Sequence, residues 1–168
     1  LKKELPLLDE DHILGFDEIE VSQKDAKCQL AEKWFEKTVT DSELQVSEDD
    51  TQIHIKGREF AYTIDRRTAL FTEMKFAGRE YLNHPMELNI WRAPTDNDMY
   101  IKSEWKKAHY DKAYTRAYTT EVVQGKHGVK ITSHASVVAE TVQKILDVMI
   151  TWKIEAAGKI DADIAVTK

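Results

Sequence analysis

Residues 142–168 read VQKILDVMITWKIEAAGKIDADIAVTK. Most even positions up to 156 are apolar: Val142, Leu146, Val148, Ile150, Trp152, Ile154 and Ala156. The odd positions Gln143, Asp147, Thr151, Lys153 and Glu155 are polar. Successive side chains of a strand point to opposite sides, so a period of two over this length predicts a long strand with one buried face. Ala157-Gly158-Lys159 predicts a turn, since glycine tolerates positive φ. Alternation resumes with Ile160, Ala162, Ile164 and Val166 against Asp161 and Asp163. The stretch is a long β-hairpin, and it sets the fold class.

Upstream the same signal repeats. Val129, Ile131, Ala135 and Val137 alternate with Lys130, Thr132, His134 and Ser136, after a turn at Gly125-Lys126-His127-Gly128. Ile53 and Ile55 form another alternating pair, followed by Phe60, Tyr62 and Ile64. Asp65-Arg66-Arg67-Thr68 predicts a turn into Leu70, Met74 and Phe76, which Ala77-Gly78 ends. Short strands at roughly ten-residue spacing, joined by turns, predict an antiparallel all-β sandwich. Two segments depart from it. Residues 103–113 (SEWKKAHYDKA) predict a short helix capped by Ser103, with Trp105, Ala108 and Tyr110 on one side. Residues 24–37 could form an amphipathic helix through Ala26, Leu30 and Trp34, or equally a charged linker with one aromatic anchor. His12 to Val21 reads as a strand, and the polar run after it marks a domain boundary.

The 168 residues are 42% hydrophobic and 32% charged, enough apolar material for a core. The net charge of −6 would be repelled by a duplex or an anionic bilayer, so neither nucleic acid nor membrane is an expected partner. No apolar run reaches the ~18 residues of a membrane span. Cys28 is the single cysteine, which excludes an internal disulfide and fits a reduced cytoplasmic thiol.

Chemistry is harder to place. Asp96-Asn97-Asp98 suggests a calcium loop, but the sixth and twelfth positions from Asp96 are Ile101 and Lys107 rather than glycine and glutamate. Asp and Asn after Pro94 are good turn chemistry instead. The six histidines form no HxH or HxxxH pair, so no histidine metal site is expected. Glycoside hydrolysis needs two carboxyl groups about 5–5.5 Å apart for retention, and sequence selects no such pair among thirty acidic residues. There is no GxSxG and no phosphate loop. Nothing here is self-sufficient for catalysis.

The stretch Ile90-Trp91-Arg92-Ala93-Pro94-Thr95-Asp96-Asn97-Asp98 closely resembles the WRAPTDND segment of the large bacterial β-galactosidases of the LacZ type, glycoside hydrolase family 2. There it lies in the C-terminal small-chain domain. Residues 60–66 (FAYTIDR) and 70–74 (LFTEM) resemble that domain's early strands. Leu82 to Pro85 fits the approach to the motif, and residues 12–16 (HILGF) resemble the last strand of the preceding immunoglobulin-like domain.

The resemblance implies an incomplete antiparallel supersandwich, similar to galactose mutarotase. It places the end of an immunoglobulin-like β-sandwich at residues 1–24, a linker at 25–48 and the first part of the supersandwich at 49–168. It implies a parent that hydrolyses terminal β-D-galactosides with retention. The catalytic glutamates of such a parent lie in a TIM barrel outside this chain, and no catalytic residue is assigned here. The family's sugar-stacking tryptophan belongs to the later half of the domain; Trp91, Trp105 and Trp152 do not match it. Trp91, Arg92, Asp96, Asn97, Asp98 and Tyr100 are the implied rim of the substrate pocket, or its packing against the barrel. Arg92 could hold a carboxylate bidentately, and the Asp-Asn-Asp triplet would fix the loop backbone. Tyr100 stands where the family usually has glycine, so a glycine-dependent loop conformation does not carry over.

No cofactor or metal is expected in this chain; magnesium and sodium ions are what the resemblance implies for the parent. The implied partners are the TIM barrel, the second half of the supersandwich and the parent's galactoside. A free-standing carbohydrate-binding module of mutarotase-like shape is the alternative, and an epimerase a third reading, for which the chain is short. The last strand, from Lys159 to Thr167, should present a free edge that either self-associates or frays.

Overall fold

The computed structural model describes residues 44–125, 127–141 and 143–168. The expected strand at 12–21, the helix-or-linker stretch at 24–37 and the division at residue 24 lie outside the described residues.

Among the described residues, nine strands form two antiparallel sheets. The first holds β1 (Gln45–Glu48), β2 (Gln52–Lys56), β3 (Phe60–Asp65), β4 (Leu70–Phe76) and β5 (Arg79–Glu80), paired in that order. The second holds β6 (Tyr114–Gln124), β7 (Gly128–Val138), β8 (Leu146–Glu155) and β9 (Ile160–Thr167), again in chain order. Each sheet is a meander, so every pairing is local and closes through a short turn. Between the sheets the chain runs through a single helix, α1 (Ile101–Lys107), flanked by 3-10 turns at Asp96–Asp98 and Tyr110–Lys112. This is the expected all-β sandwich.

The expected alternation holds where it was clearest. Val148, Ile150, Trp152 and Ile154 of β8 are buried, and so are Val129, Ile131, Ala135 and Val137 of β7. They face Ile53 and Ile55 of β2, Phe60, Tyr62 and Ile64 of β3, and Leu70 and Phe71 of β4 in one apolar core. Burying a large side chain of this kind contributes about 1.5–3 kcal/mol. Polar groups tie the sheets as well. The Trp152 indole N–H donates to the Ala69 carbonyl at 2.8 Å, and the Tyr62 hydroxyl donates to the Gly158 carbonyl at 2.8 Å. The Phe71 ring meets Trp152 edge-on, with centroids 4.8 Å apart.

The predicted turns form, with a surprise in each of two hairpins of the first sheet, β3–β4 and β4–β5. Asp65 accepts the Arg67 N–H on its carboxylate and the Ala69 N–H on its carbonyl, each at 2.7 Å. This leaves Ala69, not a glycine, at φ +61. Ala77 likewise shares the left-handed region with Gly78 at the β4–β5 turn. Burial opposes ionisation of Asp65, but the Arg67 side chain and N–H outweigh it and hold the carboxyl below its usual range.

Two expectations need correction. Residues 45–48 are not linker: they form β1, which pairs with β2 from Gln45 opposite Lys56 to Glu48 opposite Ile53. The helix expected at 103–113 starts earlier, at Ile101, and stops at Lys107. Ser103 is therefore inside it rather than at its cap, and its hydroxyl donates to the Tyr100 carbonyl. His109, at φ +58, ends the α-helical path, and Tyr110–Lys112 follow as a separate 3-10 turn. The pairing of β9 with β8 runs to Thr167 opposite Asp147.

Candidate functional site

The segment from Asn89 to Lys107 connects the two sheets, and it is organised by one carboxylate. The Asn89 side-chain oxygen accepts the Trp91 N–H at 2.7 Å, folding the chain into an Asx-type turn. Thr95 then sits in an extended conformation ahead of the 3-10 turn Asp96–Asp98. Asp98 reaches back over that turn. Its Oδ2 accepts the Thr95 N–H at 2.8 Å and the Thr95 hydroxyl at 3.0 Å. This is the return arm of a capping box, in which the third residue of a helical turn satisfies the N–H of the residue before it.

Arg92 closes the other side. Its two terminal nitrogens donate to Asp98 Oδ2 at 2.6 Å and Oδ1 at 2.8 Å. A two-pronged guanidinium–carboxylate pair fixes orientation as well as charge. Asp98 is only 7% exposed, and its burial is compensated by four donor contacts. The Arg92 side chain first, and the Thr95 backbone next, draw its carboxyl down to about 2. The other face of the guanidinium lies over Trp105, 5.3 Å from the ring centroid, and Trp91 meets the same ring edge-on at 6.1 Å. The loop is thereby clamped to α1.

The six expected residues divide. Trp91, Arg92 and Asp98 come together around Trp105. Asp96 and Asn97 are exposed, and their side chains bond no other described residue. Of the triplet expected to fix the backbone, Asp98 alone does so through its side chain. Tyr100 is 83% exposed. Its backbone, at φ −86 and ψ −45, lies in the right-handed region open to any residue, so no glycine is required there. Met99 and Ile101 beside it are 55% and 49% exposed, which makes an apolar row at the tip of the clamp. Reading the sequence missed Thr95 and Trp105. Thr95-Asp96-Asn97-Asp98 fits the spacing of a capping box, so Thr95 was within reach. The role of Trp105 depends on how α1 turns, which spacing alone does not supply.

No described group of three His, Cys, Asp or Glu side chains gathers closely enough to hold a metal ion. No helix among the described residues is long and apolar enough to cross a membrane.

Fold and segment together define an all-β sandwich domain with a polar-clamped connection between its sheets. The chain belongs to the β-galactosidase small-chain family, whose profile matches residues 56–168. It is 34% identical over 158 residues to a β-galactosidase of Actinobacillus pleuropneumoniae, an alignment covering 94% of this chain and 15% of that protein. It is 25% identical over 153 residues to a β-galactosidase of Staphylococcus xylosus and 27% over 165 residues to one of Lactobacillus delbrueckii subsp. bulgaricus. The chain covers 90% and 95% of itself in those two matches. It spans about 15% of the length of each of these relatives.

Proposed function

We propose that this chain is a non-catalytic part of a β-galactosidase that hydrolyses terminal β-D-galactosides with retention. Its role is to shape the mouth of an active site built elsewhere in the protein. The supporting observation is the state of Asp98. It is the buried carboxylate of the segment, and Arg92 and Thr95 occupy both its oxygens. It is held ionised by charge-assisted bonds, so it suits neither an acid catalyst near neutral pH nor a nucleophile with a free face. What the clamp leaves for a partner is the Met99-Tyr100-Ile101 row, with the free Asp96 and Asn97 side chains beside it.

The partner for that row is the rest of the enzyme, a TIM barrel bearing two catalytic glutamates. Trp91 and Arg92 support the row from behind, and Tyr100 forms part of the rim. Magnesium or sodium serving the whole enzyme would be held by other residues, because the Asp98 oxygens are taken and no described acidic cluster replaces them. The reading places the protein in the cytoplasm, in keeping with its single thiol.

The test is hydrolysis of a chromogenic β-galactoside by the purified chain. The expected rate equals that of buffer. Turnover that scales with chain concentration would overturn the non-catalytic role. Calorimetric binding of galactose by the chain alone would favour a free-standing carbohydrate-binding module instead.

A further inference from the structure

The β4–β5 hairpin ends on a side chain. Its register sets Phe76 opposite Arg79 and Lys75 opposite Glu80, so the next pair along is Met74 with Tyr81. In an antiparallel ladder such a pair exchanges both N–H···O bonds or neither. Here one of them forms: the Tyr81 N–H donates to the Met74 carbonyl at 2.8 Å. The Met74 N–H turns instead to Glu80, whose Oε1 accepts it at 2.9 Å. The same oxygen accepts the Leu82 N–H at 3.0 Å and shares the Tyr81 N–H at 3.1 Å. A carboxylate oxygen thus stands in for the Tyr81 carbonyl, and β5 stops at Glu80. The Leu82 N–H first, and the Met74 N–H next, hold the Glu80 carboxyl below its usual range.

The interruption changes the path downstream. Counting one residue back along β4 for each residue forward, an unbroken ladder would reach Phe71 no later than His84. The residue found there is Met86, whose N–H donates to the Phe71 carbonyl at 2.8 Å. At least two residues are therefore held out of the ladder between Leu82 and Pro85. Pro85 itself has no N–H to give to a ladder. In this register Leu82, Met86 and Leu88 pack against the core. Leu88 is followed directly by Asn89, whose side chain opens the clamp. Where Met86 meets Phe71 thus sets where the chain enters the clamp.

We propose that Glu80 is a positioning residue: its carboxylate ends β5 and fixes the register in which the chain enters the clamp that carries the Met99-Tyr100-Ile101 row. Without it, the Met74 N–H takes the Tyr81 carbonyl and the ladder runs on through residues 81–84. Straightening two residues would carry Met86 about 7 Å along β4, from the rise per residue of a strand. Its N–H then leaves the Phe71 carbonyl, and Leu88 leaves its place against the core. The acceptor oxygen carries the role, and its charge strengthens the bonds. The link to a pocket mouth rests on the proposed role of the Met99-Tyr100-Ile101 row; the control of the chain path does not.

Amide exchange on the full chain tests this. In Glu80→Ala the amides of Met86 and of residues 95–99 should exchange at least about tenfold faster, as a local opening does. The Met74 amide should stay protected by its new acceptor, and those of Ile64 and Ile150 in the core should not change. Glu80→Gln keeps an oxygen at the same reach and should hold Met86 within about threefold of the unaltered chain. Glu80→Asp, one methylene shorter, should behave as Glu80→Ala and serves if that variant unfolds, as read by circular dichroism. Unchanged protection of Met86 and residues 95–99 in Glu80→Ala would overturn the proposal. So would equal losses in Glu80→Gln and Glu80→Ala, or faster exchange spread evenly to Ile64 and Ile150, which is the mark of lost stability alone. No sugar enters the measurement, so galactoside turnover by the chain would overturn the proposed function and leave this result standing.

Discussion

The sandwich core and the connection between its sheets are stabilised in opposite ways. In the core, Ile150 of β8 and Ile64 of β3 are wholly buried, and apolar area removed from water supplies the free energy. In the connection, apolar side chains such as Met99, Tyr100 and Ile101 stay exposed, and a buried carboxylate organises the turn. The first arrangement is non-directional but close-packed, so a change of volume at one position is felt through the whole core. The second is directional and has few members, so each member matters locally and little globally. A core substitution should therefore lower the stability of the whole domain. A clamp substitution should loosen one segment and leave the domain's unfolding nearly unchanged.

Trp152→Ala should give the largest effect. It removes a side chain 4% exposed, its edge contact with Phe71, and the donor that satisfies the Ala69 carbonyl. Loss of about 3–5 kcal/mol is expected from the cavity and transfer terms. Denaturant titration measures it. A loss below about 1 kcal/mol would mean that the two sheets are not joined through this ring.

Gly158→Ala comes next, and it probes the same junction from the backbone side. Gly158 has φ +91, and a Cβ there would come within 2.8 Å of the Phe60 ring. Its carbonyl also accepts the Tyr62 hydroxyl. A cost of about 1–2 kcal/mol is expected from the left-handed conformation, with ring displacement added. Thermal unfolding that matches the parent chain would show that the β8–β9 turn relaxes freely.

How much of this contrast was legible in the sequence follows from the same physics. β7 and β8 stood out because each keeps one face toward the core for its full length, and β9 because its apolar residues alternate with acidic ones although most of the strand is exposed. β6 went unread although it is eleven residues long. Its bulge at Tyr118 shifts the inward positions from Thr115 and Ala117 to Thr120 and Val122, so no period of two survives across it. β1 was missed because one exposed side and four residues leave Val46 as its single apolar signal. At the clamp, the Arg92 fork was legible as a capacity, but its carboxylate was not. Choosing Asp98 over Asp96 requires knowing which side of the turn faces inward. That is set by the 3-10 geometry after Pro94 and by Trp105.

Asp98 also gives the smallest effect and the sharpest test of the contrast. Its carboxyl is drawn from the 3.8 of a free aspartate to about 2. A group whose folded value is depressed contributes above its unfolded value, and the contribution is lost as pH falls through the folded one. The clamp should therefore be intact near neutrality, weaken from about pH 4 and be gone below about pH 2. Asp49 behaves alike: the Thr51 N–H first, then the Thr51 hydroxyl and the Gln52 N–H, bring it to about 2. Acid would then loosen both the β1–β2 turn and the clamp while β7 and β8 stay paired. Asp98→Asn separates the two. The amide loses the charge and supplies a donor where Arg92 already donates, so amide exchange at residues 95–99 should rise roughly tenfold at neutral pH. The Asp49 turn should keep its titration between pH 4 and 2 in that variant. Equal protection of residues 95–99 in both proteins would mean that Pro94 and the Trp105 ring hold the segment without the carboxylate.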